Sequence, residues 1–201
     1  MKHPDNIKKL GQLPIDYMGM IFYEKSPRFV DRLIESDLHT LPTDIKRVGV
    51  FVNANADYIT TKIKDYSLDL VQLHGNESPD FSKELNKEIP VVKAFSISEI
   101  TDLEKTRAYE GAASLFLFDT KTPQYGGSGQ KFDWNILNEY RGSTSFLLSG
   151  GISADDVKSI KKIKHPQFYG IDLNSKFESE PGRKNIELLQ QFIKALNDEQ
   201  D

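Results

Sequence analysis

The stretch that decides the fold runs from Leu115 to Phe132, LFLFDTKTPQYGGSGQKF. Four apolar residues, Leu115 to Phe118, lead straight into Asp119. A loop with Gly126, Gly127, Ser128 and Gly129 follows, and Lys131, Phe132 and Asp133 open a helical segment. A short unbroken apolar run bounded by turn residues suits a strand buried on both faces. A carboxylate at its end stands at the carboxyl edge of a parallel sheet, where α/β proteins place their chemistry. Taken alone, Asp119 also reads as a turn cap and the glycines as residues that let the chain bend. The rest of the chain decides between the two.

Downstream, Trp134 to Tyr140 reads as helix and Phe146 to Leu148 as a short strand before Ser149-Gly150-Gly151-Ile152. Ser153 can cap a helix over Ala154 to Ile163, and Phe168 to Leu173 is the last strand. A polar turn runs from Asn174-Ser175 through Gly182. Asn185 to Leu196 then has Ile186, Leu189, Phe192, Ile193 and Leu196 on one side. Upstream, the strands are Tyr17 to Phe22, Arg47 to Val52, Leu68 to Leu73 and Val91 to Phe95. Between them lie helical segments at Pro4 to Leu13, Val30 to Asp37, Asp57 to Tyr66, Ser78 to Leu85 and Ile100 to Tyr109. Lys93 is the one charge within its apolar strand; it points into a barrel mouth or snorkels to solvent.

Strands alternating with helices across short loops mean a parallel sheet with right-handed crossovers. Seven strands and about eight helices, starting with a helix, match a (β/α)8 TIM barrel whose first β-strand is absent. A doubly wound open sheet is the alternative, but the glycine fingerprint expected after its first strand is missing.

The 201 residues suit a single domain over 1–201, with enough chain to bury a substantial core. The net charge of −4 and the lack of a basic run argue against nucleic-acid and anionic-membrane partners. No apolar run approaches the ~20 residues of a membrane span, and MKHPDNIKKL lacks a signal-peptide core. With no cysteine there is neither a disulfide nor a thiolate site, and His3, His39, His74 and His165 show no metal-ligand spacing. The expectation is a cytoplasmic protein without metal or cofactor.

Several stretches together resemble the phosphoribosylanthranilate isomerase family of tryptophan biosynthesis, a (β/α)8-barrel family. They are Lys25-Ser26-Pro27-Arg28, Val48-Gly49-Val50-Phe51-Val52, Val71-Gln72-Leu73-His74-Gly75, Asp119-Thr120-Lys121 with Gly126 to Gly129, Leu148 to Ile152, and Gly170 to Ser175. The resemblance spans the chain from Met1 to the last helix. It implies an acid–base Amadori rearrangement of N-(5-phosphoribosyl)anthranilate to an open-chain 1-deoxyribulose 5-phosphate. A general acid protonates the ring oxygen so that the furanose opens to an iminium, and a general base takes the proton from C2.

By this resemblance Asp119 is the general acid. Arg28 meets the anthranilate carboxylate, for which a guanidinium fork is suited. His74 and Gly127 also contact substrate, although His74 alone reads as a packed, hydrogen-bonded barrel residue. The loop around Gly127 covers the ligand. Gly150 and Gly151, with Asn174 and Ser175, hold the phosphate on the loops after the last two strands. The partner is a small phosphorylated molecule, and the chain is expected to be a monomer or homodimer.

The family begins with a short strand ending in Cys-Gly, and that cysteine is its general base. This sequence starts just past that pair, so the base is missing and Met1 reads as an internal methionine, with a genuinely shortened protein as the alternative. Three or four large apolar side chains of one strand contribute about 5–10 kcal/mol, comparable with a whole domain's stability. Open edges are expected at the strands of Tyr17 and Ile171, and the chain is expected to be marginal. The rival readings are another phosphate-binding barrel enzyme, or an impaired barrel that binds a phosphorylated ligand without turnover.

Overall fold

The structure, a computed structural model, describes residues 1–31, 33–120 and 131–198. Among them, seven strands form one parallel sheet: β1 Tyr17–Ile21, β2 Lys46–Phe51, β3 Leu70–Leu73, β4 Val91–Ile97, β5 Leu115–Thr120, β6 Phe146–Leu148 and β7 Phe168–Ile171. Their spatial order equals their chain order. A doubly wound sheet requires that order to reverse at a switch point, so the alternative is excluded. The sheet curls until its ends approach, with the Tyr17 hydroxyl of β1 3.3 Å from the Tyr169 hydroxyl of β7. Among the described residues no backbone ladder joins β1 to β7.

Alternation along the strands builds two apolar layers. Val92, Ala94, Leu115 and Leu117, with Leu70 and Leu147, pack inside the curl. Met18, Met20, Phe51, Val71, Phe95, Phe116, Phe118 and Phe146 point outward and are buried in the larger core. Aromatic rings tie neighbouring strands on that outer face. Phe95 meets Phe116 edge-on at 5.1 Å, and Phe118 stacks on Phe146 at 4.8 Å. Burial on both faces is why these strands read as unbroken apolar runs.

The helices on the outer face are α1 Pro4–Leu10, α2 Ala56–Tyr66, α3 Pro79–Glu88, α4 Val157–Lys161 and α5 Ile186–Asn197. Side-chain caps start three of them: Asn55 accepts from the Tyr58 N–H, Ser78 from Phe81 and Asn185 from Leu188. Two expected α-helices are instead 3₁₀ segments, Ile100–Tyr109 and Trp134–Glu139. Their inward residues repeat every three positions: Leu103, Thr106 and Tyr109 in one, Trp134, Leu137 and Tyr140 in the other. Side chains at i and i+3 eclipse in a 3₁₀ turn, so this spacing fills one face there.

The helix expected over Val30 to Asp37 shrinks to a 3₁₀ turn, Glu35–Leu38. The Val30 N–H instead bonds the Ile21 carbonyl, which draws the chain out alongside β1. The helix expected over Ala154 to Ile163 is a 3₁₀ turn, Ala154–Asp156, followed by α4. The polar turn before α5 contains an antiparallel hairpin, β8 Glu178–Glu180 with β9 Arg183–Lys184. Pro181-Gly182 turns it, with Gly182 at φ 87°. Lys93 takes neither expected direction. It lies on the outer face of β4, 2% exposed and paired with Glu77, because register with outward-facing Leu73 turns it away from the barrel interior.

Candidate functional site

Inward-facing residues of the strands line a cleft of about 430 Å³ that reaches the carboxyl ends of the sheet. Its lining includes Arg28, His74, Asp119, Gly150, Gly151, Asn174 and Ser175. The structure therefore gathers every described residue that the sequence singled out. Gly127, with Gly126, Ser128 and Gly129, lies outside the described residues.

Asp119 occupies the next-to-last position of β5, in register with Ser96 of β4. Its Oδ1 accepts the Thr120 N–H at 2.8 Å, and its Oδ2 lies 3.3 Å from His74 Nε2. His74 follows β3 directly, and its N–H donates to the Phe51 carbonyl of β2. The Gln72 side-chain amide contacts His74 Nδ1 at 2.9 Å. With that amide donating, neutral His74 carries its proton on Nε2, facing the carboxylate. The imidazole N–H then points at Asp119 Oδ2 and fixes where that carboxyl sits in the cleft.

The loop after β6 passes close above this pair. Gly150 has φ 88°, and a Cβ there would fall 2.3 Å from Thr120 Oγ1 and 2.7 Å from Asp119 Oδ1. Only glycine fits that approach. Gly151 is also left-handed, at φ 68°. Next to them, Asn174 and Ser175 open the 3₁₀ turn Ser175–Phe177 after β7. The two loops are adjacent because β6 and β7 pair.

Arg28 comes from the loop after β1, and its guanidinium is already engaged. Nε donates to both Glu178 oxygens, at 2.9 and 3.1 Å, and Nη2 donates to Oε2 at 2.7 Å. Among the described residues Nη1 has no acceptor, so the fork presents that side to an incoming carboxylate. Burial works to raise the Glu178 carboxyl, but the Arg28 hydrogen bond and the nearby Lys184 charge hold it below the usual range. Lys184 reaches Glu178 Oε1 at 3.4 Å, Asn174 Oδ1 at 2.9 Å and the Leu173 carbonyl at 3.1 Å. Burial pushes its ammonium down, against the pull of Glu178 and Asp172. Asp172 accepts the Ser149 hydroxyl at 2.8 Å, and burial pushes its carboxyl up.

Gln72, Ser149, Asp172, Glu178 and Lys184 were given no role from sequence. Two signals could have found three of them. Gln72 is in alternation with His74, and Pro181-Gly182 marks a hairpin that returns Lys184 toward Glu178.

Comparison with known proteins matches residues 1–195 to the family described as N-(5'phosphoribosyl)anthranilate (PRA) isomerase. The N-(5'-phosphoribosyl)anthranilate isomerase of Parabacteroides distasonis is 48% identical over 199 residues, covering 98% of this chain and 90% of that protein. The crystal structure of phosphoribosyl anthranilate isomerase from Thermotoga maritima superimposes with a TM-score of 0.84 at 31% identity, covering 98% of this chain and 95% of that one. A phosphoribosyl anthranilate isomerase in complex with reduced 1-(o-carboxyphenylamino)-1-deoxyribulose 5-phosphate gives 0.80 at 27% identity, covering 98% and 94%.

Proposed function

The chain belongs to the N-(5'-phosphoribosyl)anthranilate isomerase family, and from that premise we propose how its cleft divides the work. Its function is the isomerase step of tryptophan biosynthesis. Asp119 is the general acid. It gives a proton to the furanose ring oxygen as the C1–O bond breaks, leaving an iminium at C1. His74, on its Oδ2, orients the carboxyl. Arg28 receives the anthranilate carboxylate on its free Nη1 side, and Glu178 fixes the fork from the other. Gly150, Gly151, Asn174 and Ser175 receive the phosphate, and the loop of Gly127 covers the ligand. The observation that carries this reading is the 3.3 Å contact of Asp119 and His74 beneath the Gly150 backbone.

The finer architecture is part of the proposal. One barrel domain spans 1–201, and an eighth parallel strand belongs in the seam between β1 and β7, bringing the family's cysteine base to C2. The Met1 amino group donates to the Gly19 carbonyl of β1, so hydrogen bonding from outside β1 is already sampled there. Among the described residues no helix is long and apolar enough to cross a membrane. By the family reading, the proposal is a cytoplasmic enzyme acting on a small phosphorylated substrate as a monomer or homodimer.

The test is turnover of phosphoribosylanthranilate, followed by loss of its fluorescence. The chain is compared with a version extended upstream by the strand and cysteine. The expected result is strong turnover by the extended form and its loss in Asp119→Ala. Equal turnover by both forms removes the cysteine from the proposal and leaves His74 as the group to test as base. Phosphate-ligand binding without turnover in either form overturns the isomerase assignment for this chain.

A further inference from the structure

Outside the barrel wall, behind the reacting pair, sits an ion pair with no part in the proton transfers. Lys93 and Glu77 have side chains each 3% exposed, with Lys93 Nζ 3.3 Å from Glu77 Oε2. The ammonium also donates to the carbonyls of Leu73 at 3.1 Å, Gly75 at 2.8 Å and Ala94 at 3.1 Å. Glu77 accepts the N–H of Asn53 at 2.8 Å and of Gly75 at 3.0 Å, and its carbonyl takes the Tyr109 hydroxyl at 2.7 Å. Asn53 in turn accepts the Asn76 N–H at 2.7 Å. Every one of these bonds ends on the turn of residues 73–77 or on an element next to it. His74 is in the middle of that turn, and its ring faces the other way, onto Asp119.

A buried ion pair is weak evidence for stability, because desolvating two charges offsets their attraction. What this pair does hold is geometry. Two carbonyls on either side of His74 and the N–H after it are tied to one rigid centre anchored on β4. A carbonyl-bound ammonium resists displacement in every direction that would rotate the turn.

We propose that Lys93 and Glu77 are positioning residues for the isomerase reaction, locking the turn after β3 so that the His74 imidazole stays against the Asp119 carboxyl. The proposal rests on the reading of Asp119 as the general acid. A displacement near 1 Å at such a contact costs about a hundredfold in rate. The phosphate loops follow β6 and β7, on other strands.

The experiment uses Lys93→Met, Glu77→Gln and the double variant, each made in this chain and in the form extended upstream. Gln keeps an oxygen for the Asn53 and Gly75 N–H groups, and the double variant leaves no unpaired buried charge. Each is read in two ways: by kcat and KM, and by the imidazole ¹⁵N resonances of His74. The expected outcome is a kcat lowered about tenfold to a hundredfold with KM within about twofold. The His74 resonances are expected to move toward those of Asp119→Asn, and Lys93→Arg to restore part of the rate. A double variant with parental kcat and parental His74 resonances overturns the proposal. So does a loss that falls on KM as heavily as on kcat. If the parent itself fails to turn over, the isomerase reading falls, and the His74 resonances still decide the positioning claim.

Discussion

At the scale of single residues, the cleft is organised by pairs whose members come from distant parts of the chain. Arg28 and Glu178 are 150 positions apart. A charge-assisted fork to a carboxylate is worth about 1.5–3 kcal/mol. Arg28→Met is therefore expected to raise KM about tenfold to a hundredfold while kcat changes little. It also leaves Glu178 buried with only the Gly182 N–H and the weaker Lys184 contact, so the melting temperature of the variant falls. Adding Glu178→Gln should recover the melting temperature and not the KM. Steady-state kinetics and thermal melts of the two variants check this, and an unchanged KM in Arg28→Met removes the carboxylate contact. The common placement of Asp119, His74 and Arg28 in one cleft was legible in the sequence because family motifs surround them. Glu178 and Asp172 were given no role, since the Arg28 and Ser149 groups they meet lie 150 and 23 positions away and no local spacing encodes such pairs.

At the scale of elements, legibility follows burial. Phe116 and Phe118 face the outer core while Leu115 and Leu117 face inward, so β5 announces itself as an unbroken apolar run. The segment Ile100–Tyr109 has the length of a helix, and only its three-residue repeat betrays the tighter 3₁₀ turn. Asp102 holds its start. Burial works to raise this carboxyl, but hydrogen bonds from Lys105, Ser98 and the Glu99 N–H outweigh it and bring it down to about 2. A carboxyl depressed on folding stabilises the protein above its unfolded value. That stabilisation drains away as pH falls through the folded one. The window here runs from about pH 4 to about pH 2, and a shift from 3.8 to about 2 is worth roughly 2 kcal/mol. Asp102→Asn is therefore expected to lose on the order of 2 kcal/mol at pH 7 and to show a flatter acid limb below pH 4. Urea melts at several pH values measure both, and parallel acid limbs in variant and parent refute the assignment.

At the scale of the whole molecule, the decisive feature is the seam. Seven strands in chain order curl far enough for Tyr17 and Tyr169 to touch, yet β1 and β7 share no ladder among the described residues. Met1 and Val30 already donate to the Gly19 and Ile21 carbonyls of β1, and strand edges that lack a ladder are templates for another strand, from this chain or from a second copy. A strand seated there satisfies both edges and adds three or four large apolar side chains to the two layers already present, worth about 5–10 kcal/mol. A chain of this size has a urea dependence of roughly 2–3 kcal/mol per molar, so the extended form should unfold at a midpoint about 2 M or more above the chain as written. The chain as written should also self-associate as its concentration rises, because a second molecule's edge is the next best occupant of the seam. Equilibrium urea melts and sedimentation velocity on the two forms test both expectations together. A chain that stays monomeric and unfolds at the midpoint of the extended form would show that the Tyr17–Tyr169 contact and the Met1 amino group already close the barrel. The cysteine strand would then be needed for chemistry alone.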